Sequence, residues 1–225
     1  TLTNSVLRDS FNAGLRIVGG SPTVTGVTFQ NNYWAATMDL ASSPVITAPT
    51  VQGNTFNAVV LDGGSIGGSV NWNSPGIVYQ LSGDVTVPAG RTLTIGAGQV
   101  VKSRNVNVVV DGTMRAAGTA SSPIVFTSSR DDSAGGDTDN NGASGGLDGD
   151  WGAITFNPGS DASRLDHVSV RHGGYSGGVA AAVVIAADVA INNSTFRNSY
   201  NGGVRINNSN PTLNNNTWQD NVNRF

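Results

Sequence analysis

The sequence predicts an all-β fold wound as a solenoid, and three observations carry that expectation. The first is what is missing: all 15 acidic residues are Asp, Lys102 is the single lysine and Gly numbers 30 among 225 residues, so the strong helix formers Glu and Lys are nearly absent. The second is texture, because Val, Ile, Thr and aromatic residues recur in short runs between Asn, Gly, Ser and Pro, as in brief strands joined by turns. The third is a repeat whose starts lie 22 to 27 residues apart, in the range of stacked solenoid turns. With 38% hydrophobic residues and no cysteine, one domain of this length can bury a sizeable core without disulfides. A formal charge of −3 argues against a nucleic-acid partner, which needs a basic footprint. No apolar run approaches the roughly 20 residues of a membrane span, and no basic, apolar export signal opens the segment.

Six segments define the repeat: an aliphatic residue, a turn-type residue two positions on, and a large apolar residue five positions on. They start at Leu2, Val24, Val51, Leu165, Ile191 and Leu213, with Asn4, Gly26, Gly53, His167, Asn193 and Asn215 in the second column. Leu7, Phe29, Phe56, Val170, Phe196 and Trp218 fill the third. Side chains five apart on a flat strand point to opposite faces, so both apolar columns reach the core only if the chain bends between them. Asn and Gly tolerate the left-handed conformation such a bend uses. Each segment therefore reads as strand, corner, strand, with the first and third columns directed inward.

A longer repeat lies over the first, since adding 189 to the numbering superposes Leu2–Asn32 on Ile191–Asn221 without a gap. The expected organisation is a tandem array, with residues 1–68 closing one module and residues 69–225 forming most of the next, the two able to stack as one continuous solenoid. Neighbouring modules of a longer parent, and head-to-tail copies of this chain, are the expected partners, because an end turn exposes unpaired strand edges. Between the copies, the Gly, Ser and Asn-rich stretch 53–76 reads as a boundary. Alternating strands resume at Ile77–Ile95, continue through Val100–Lys102 and Val106–Val110, and end at Ile124–Phe126. The run Ala180–Ala187 reads as a buried strand, because β-branched residues and a preceding Gly pair disfavour helix.

The run Asp84–Lys102, followed by Val110–Thr119, Pro123–Thr127 and Asp150–Ile154, resembles bacterial right-handed parallel β-helix repeat proteins of the pectate-lyase-like type. The resemblance covers most of residues 78–218. It implies a three-sheet parallel coil and a place at the cell surface or outside the cell, and it implies no single activity, since such folds host surface and adhesive proteins beside polysaccharide lyases and hydrolases.

Candidate chemistry has to come from sites. Gly174-Tyr-Ser-Gly-Gly178 fits a nucleophile-elbow pattern at Ser176, but both histidines, His167 and His172, precede it, against the chain order of that fold. Zinc finds no Cys or Glu and only two His, five apart on a strand-like segment. Cleavage of a polysaccharide needs facing carboxylates or an Arg base, and Asp166, Arg171 and His172 are the candidates available; a surface polysaccharide is the corresponding ligand.

The strongest local signal is the acidic stretch Asp131–Asp150. Asp137, Asp139, Asn141 and Gly142 fill positions 1, 3, 5 and 6 of a D-x-D-x-N-G calcium loop, the main-chain oxygen of Ala143 falls at position 7, and Asp148 stands at position 12 where Glu is usual. Asp131, Asp132 and Asp150 are further ligands within reach. No Lys or Arg occurs between Arg130 and Arg164 to neutralise these charges, and the oxygen-only donor set suits Ca²⁺. Strands flank the stretch, so it reads as an acidic loop inserted into a coil. The functional expectation is a non-catalytic, calcium-braced, adhesin-like scaffold of the bacterial cell surface or exterior, with a polysaccharide-binding or polysaccharide-cleaving enzyme as the alternative.

Overall fold

A computed structural model describes residues 1–175 and 181–222. The left-handed corners organise it. In the first three and the last three turns, residues with positive φ fall in pairs five apart: Asn4 with Asp9, His167 with His172, Asn193 with Asn198 and Asn215 with Asp220. Gly26 with Asn31 and Ala48 with Gly53 complete the set. Each pair brackets one short strand, so a turn of the coil bends twice within a few residues and the strands on either side become separate walls. Corner residues also bond along the axis: Asn31 Nδ2 donates to Asp9 Oδ1 at 3.4 Å, and Asn215 Nδ2 to Asn193 Oδ1 at 3.4 Å. At Gly26 a Cβ would come within 2.6 Å of Asn4 Oδ1, so an Asn fills the space that the next corner leaves open.

Among the described residues there are 27 strands and no helix, and every sheet is parallel. The chain is thus a parallel β-solenoid, as the sequence predicts. Two three-stranded sheets, starting with Leu2–Thr3 and Val6–Arg8, serve the first turns; two six-stranded sheets, starting with Gly64–Ser65 and Val70–Trp72, serve the later ones. One nine-stranded sheet runs from Ala13–Ile17 to Thr217–Gln219 and joins the two regions through the pairing of Phe56–Leu61 with Val78–Leu81. At about 4.8 Å per rung it is roughly 40 Å long. Stretch 53–76, expected as a boundary, contains the strands Phe56–Leu61, Gly64–Ser65 and Val70–Trp72. The sequence unit also advances by one strand across it: Val6–Arg8 lies in a three-stranded sheet, whereas its copy Thr195–Arg197 lies in the nine-stranded one.

The core is a set of axial columns. Inside the nine-stranded sheet Val59, Tyr79, Val101, Phe126, Val170, Phe196 and Trp218 stack in register. All but the last are buried; Trp218, on the end strand among the described residues, stacks on Phe196 with ring centroids 6.0 Å apart and is 48% exposed. Leu2, Val24 and Ile46 align, as do Leu7, Phe29 and Val51. The repeat beginning at Val51 is therefore displaced. Val51 belongs to the third column, the first is held by Ile46 and the corner by Ala48, and Phe56 pairs with Trp34 in the nine-stranded sheet. Within the Ala-rich run, Val183–Ile185 is the buried strand; Ala180 lies outside the described residues.

Buried asparagines tie the inner corners together. Asn54 Nδ2 donates to the Phe29 carbonyl at 3.0 Å, and Asn54 Oδ1 accepts from both the backbone and side-chain nitrogens of Asn32 at 2.9 Å. Asn32 Nδ2 in turn reaches the Leu7 carbonyl, a bond that Asn221 repeats to Phe196 at the 189-residue offset. Removing Asn54 strands several buried groups, each costing on the order of 1–3 kcal/mol when left unsatisfied. Asn54→Ala is expected to lower the urea unfolding free energy by about that amount; an unchanged midpoint would show that these bonds are dispensable.

Candidate metal centre

In the two preceding turns the nine-stranded sheet passes to the next wall by short links, Leu81 to Val85 and Ser103 to Val108, but after Ile124–Ser128 the chain leaves the coil and returns only at Ile154–Phe156. The insertion folds back over the outer face of the nine-stranded sheet. It covers Val78, Lys102, Val125 and Thr127, which alternate with the core column and would otherwise face solvent. Asn57 N donates to Thr138 O at 2.7 Å, Gly135 rests on Val78 and Val100, and Trp151 Nε1 donates to the Arg171 carbonyl at 2.7 Å. Gly135 is required: its φ is +72°, and a Cβ there would stand 2.4 Å from Val78 Cγ2.

This folding brings Asp132, Asp137 and Asp139 together, each offering a carboxylate oxygen within 4.8 Å of the others. Asp137 accepts from Gly142 N at 2.9 Å and Asn141 N at 3.3 Å, Asn141 Nδ2 donates to Asp139 Oδ2 at 2.9 Å, and Ser144 N donates to Asp132 Oδ2 at 2.6 Å. Asp132 Oδ1 and Asp139 Oδ1 are buried and lack any hydrogen-bond partner, as does Gln80 Oε1 on the rung beside Lys102. Burial, then the hydrogen bond and charge of Asp137, push the Asp139 pKa up. Burial also opposes the charge on Asp137, but the N–H groups of Gly142 and Asn141 outweigh it and hold that carboxyl below its usual range.

The compensating cation comes from outside the loop. Lys102, fully buried on the strand beneath, donates from Nζ to Gly136 O at 2.7 Å and to Thr138 Oγ1 at 3.2 Å. Desolvation lowers its pKa, while Asp132, Asp131, Asp139 and Asp137 act in the opposite direction. Three carboxylates and one ammonium leave two negative charges, the balance a divalent cation would neutralise. Counting charges only between Arg130 and Arg164 misses this lysine.

Of the remaining expected ligands, Asn141 stands beside the cluster, bonded to Asp137 and Asp139. Asp131 is buried against Thr127 Oγ1 at 2.6 Å, Ser133, Arg171 Nη1 at 3.4 Å and His172 Nε2 at 3.9 Å. Despite its burial, the hydroxyls and Arg171 keep its pKa low. Asp150 accepts from Ser128 Oγ at 2.6 Å and Leu147 N at 2.9 Å, and faces Arg130 at 3.5 Å. Asp148 and Ala143 are exposed, and Asp148 acts through space on His172. Asn141 is turned by its bond to Asp139. Of the enzymatic candidates, Arg171 is tied to Asp131 and Ser169, and His172 packs on Gly146 under the insertion. Asp166 sits at the opposite corner, paired with His167 Nδ1 at 2.8 Å and Asn193 Nδ2 at 2.9 Å. Ser176 lies outside the described residues.

A family model described as a pectate-lyase like beta helix domain matches residues 64–178. No curated protein and no solved structure matches the chain.

The raised pKa of Asp139 has a signed consequence. Folding favours its protonated form, so at neutral pH its charge costs stability, and the cost fades as pH falls through the folded pKa. In the presence of chelator, Asp139→Asn is therefore expected to melt above the wild type at pH 7, with the gap closing on acidification. A lower melting temperature for the variant in chelator would contradict this electrostatic picture.

Proposed function

The chain belongs to the pectate-lyase-like β-helix family, and on that premise we propose that it is a non-catalytic scaffold module braced by calcium, adhesin-like, at the cell surface or outside the cell. The fold is compatible with scaffold and with polysaccharide-active roles, and no helix among the described residues is long and apolar enough to cross a membrane. What carries the calcium reading is the pair of buried, unpartnered carboxylate oxygens on Asp132 and Asp139 beside Asp137. Orphaned buried carboxylate oxygens are expensive, and a cation removes the cost. Carboxylates with nearby main-chain and amide oxygens form an irregular, all-oxygen set, which suits Ca²⁺ better than Mg²⁺ with its octahedral demand, and offers zinc no nitrogen or sulfur.

Bound there, the ion would join Asp132 near the start of the insertion to Asp137 and Asp139 in its middle, directly above the Lys102 anchor. The brace would fasten a loop that already spans several rungs of the longest sheet. In the same reading, residues 1–68 and 69–225 derive from successive modules of a tandem array, and neighbouring modules or further copies of this chain stack on the end turns; the 189-residue offset supports this.

Ligand binding stabilises by RT ln(1+[L]/Kd), about 2.7 kcal/mol at a hundredfold excess over Kd, or roughly 5–10 °C for a chain of this size. Calcium is expected to raise the melting temperature by that order relative to chelator. Asp137→Ala and Asp132→Ala should abolish the rise and Asp148→Ala should keep it. No rise in the wild type, or equal rises in all four proteins, would reduce the cluster to a hydrated acidic turn.

A further inference from the structure

Beyond the insertion, the outer wall of the nine-stranded sheet opens into a groove of about 400 Å³ whose lining includes Pro123, His167, Ser169, Arg171, Thr195 and Arg197. Arg171, Arg197 and Gln219 stand on successive rungs of one outward file, and Ser169, Thr195 and Thr217 on the next. Two guanidinium groups are thus placed one rung apart, a spacing of about 4.8 Å along the sheet, where like charges repel. Arg171 is compensated within the fold, by Asp131 and Ser133 at Nη1 and by Ser169 at Nε. Arg197 is not: among the described residues its side chain makes no ion pair and no hydrogen bond, and its charge weighs on Arg171.

The internal repeat sharpens the contrast. At the 189-residue offset Arg197 corresponds to Arg8, which has Asp9 at 3.6 Å. In the later copy Asn198 replaces that aspartate, leaving the half-buried arginine in the groove with no carboxylate of its own. A guanidinium presents a planar fork of donors suited to an oxyanion, and the Thr195 and Ser169 hydroxyls beside it are further donors. We infer that this groove is an oxyanion-binding site, in which Arg197, with Arg171 behind it, takes a carboxylate or sulfate group carried by a ligand. The residues of this site are separate from the three-aspartate cluster.

The surface supplies its own control, since Arg115 and Arg164 also stand on neighbouring rungs, but exposed on another wall. Amide chemical shifts would be followed while sodium sulfate or sodium acetate replaces sodium chloride at constant ionic strength, in wild type, Arg197→Gln and Arg115→Gln. Saturable shifts at Ser169, Thr195 and Arg197 are expected, weakened about tenfold or more in Arg197→Gln, as for loss of a charged hydrogen bond, and unchanged in Arg115→Gln. Saturation by acetate alone would identify a carboxylate ligand, and by sulfate alone a tetrahedral one. Absence of saturation with both salts, or equal weakening in the two variants, would overturn the site.

Discussion

The rod depends on bends that recur at the same place in successive turns, and toward both ends of the chain these bends are paired left-handed corners. A tube of parallel strands closes only if each turn bends where its neighbours bend, because rungs hydrogen-bond along the axis and a misplaced corner would shift every side chain beyond it to the wrong face. Asn, Asp, His and Gly, with Ala48 the exception, hold these positions because they tolerate positive φ. Their side chains also bond to the equivalent residue one rung away, as from Asn31 to Asp9. The core columns and the buried asparagines of these turns inherit their register from that repetition.

The same constraint explains which parts of the fold were legible in the sequence. Spacings of two and five residues reveal a bend between inward side chains, and most segments read that way align in the structure. The segment starting at Val51 does not, for a definite reason. The two corners of a turn are themselves five apart, so Val51-Gln-Gly53 followed by Phe56 imitates the pattern from the second corner, while the true first corner is Ala48, a residue with no turn signature. Sequence spacing registers that a corner exists and does not say which of the two it is.

The candidate site was legible only where it is local. Asp137 and Asp139 stand out as a D-x-D pair, and the structure brings them together with Asp132. Reading the stretch as a loop of fixed positions carries over the geometry of helix-flanked loops, in which the twelfth residue returns to the ion. Here strands flank the insertion and it lies flat on a sheet, so the third carboxylate of the cluster precedes the motif, and Asp148 stays exposed. Lys102 and Arg171 were invisible as partners for a different reason: they are 36 residues from Thr138 and 40 from Asp131, and only the winding of the coil makes them neighbours.

The nine-stranded sheet also has a mechanical meaning. The other walls stop or start between Thr47 and Val70, where side-chain bonds such as Ile46 N to Ser74 Oγ replace strand pairing, so the backbone ladder around residues 53–76 is continuous on one side only. A rod built this way bends most easily there, with the long sheet on the stiff side. The insertion lies lengthwise on that side, touching Asn57, Val78, Lys102, Thr127 and Arg171 in turn. It is placed as a splint along the spine of the rod, and whatever tightens it sets how far the rod can flex under load.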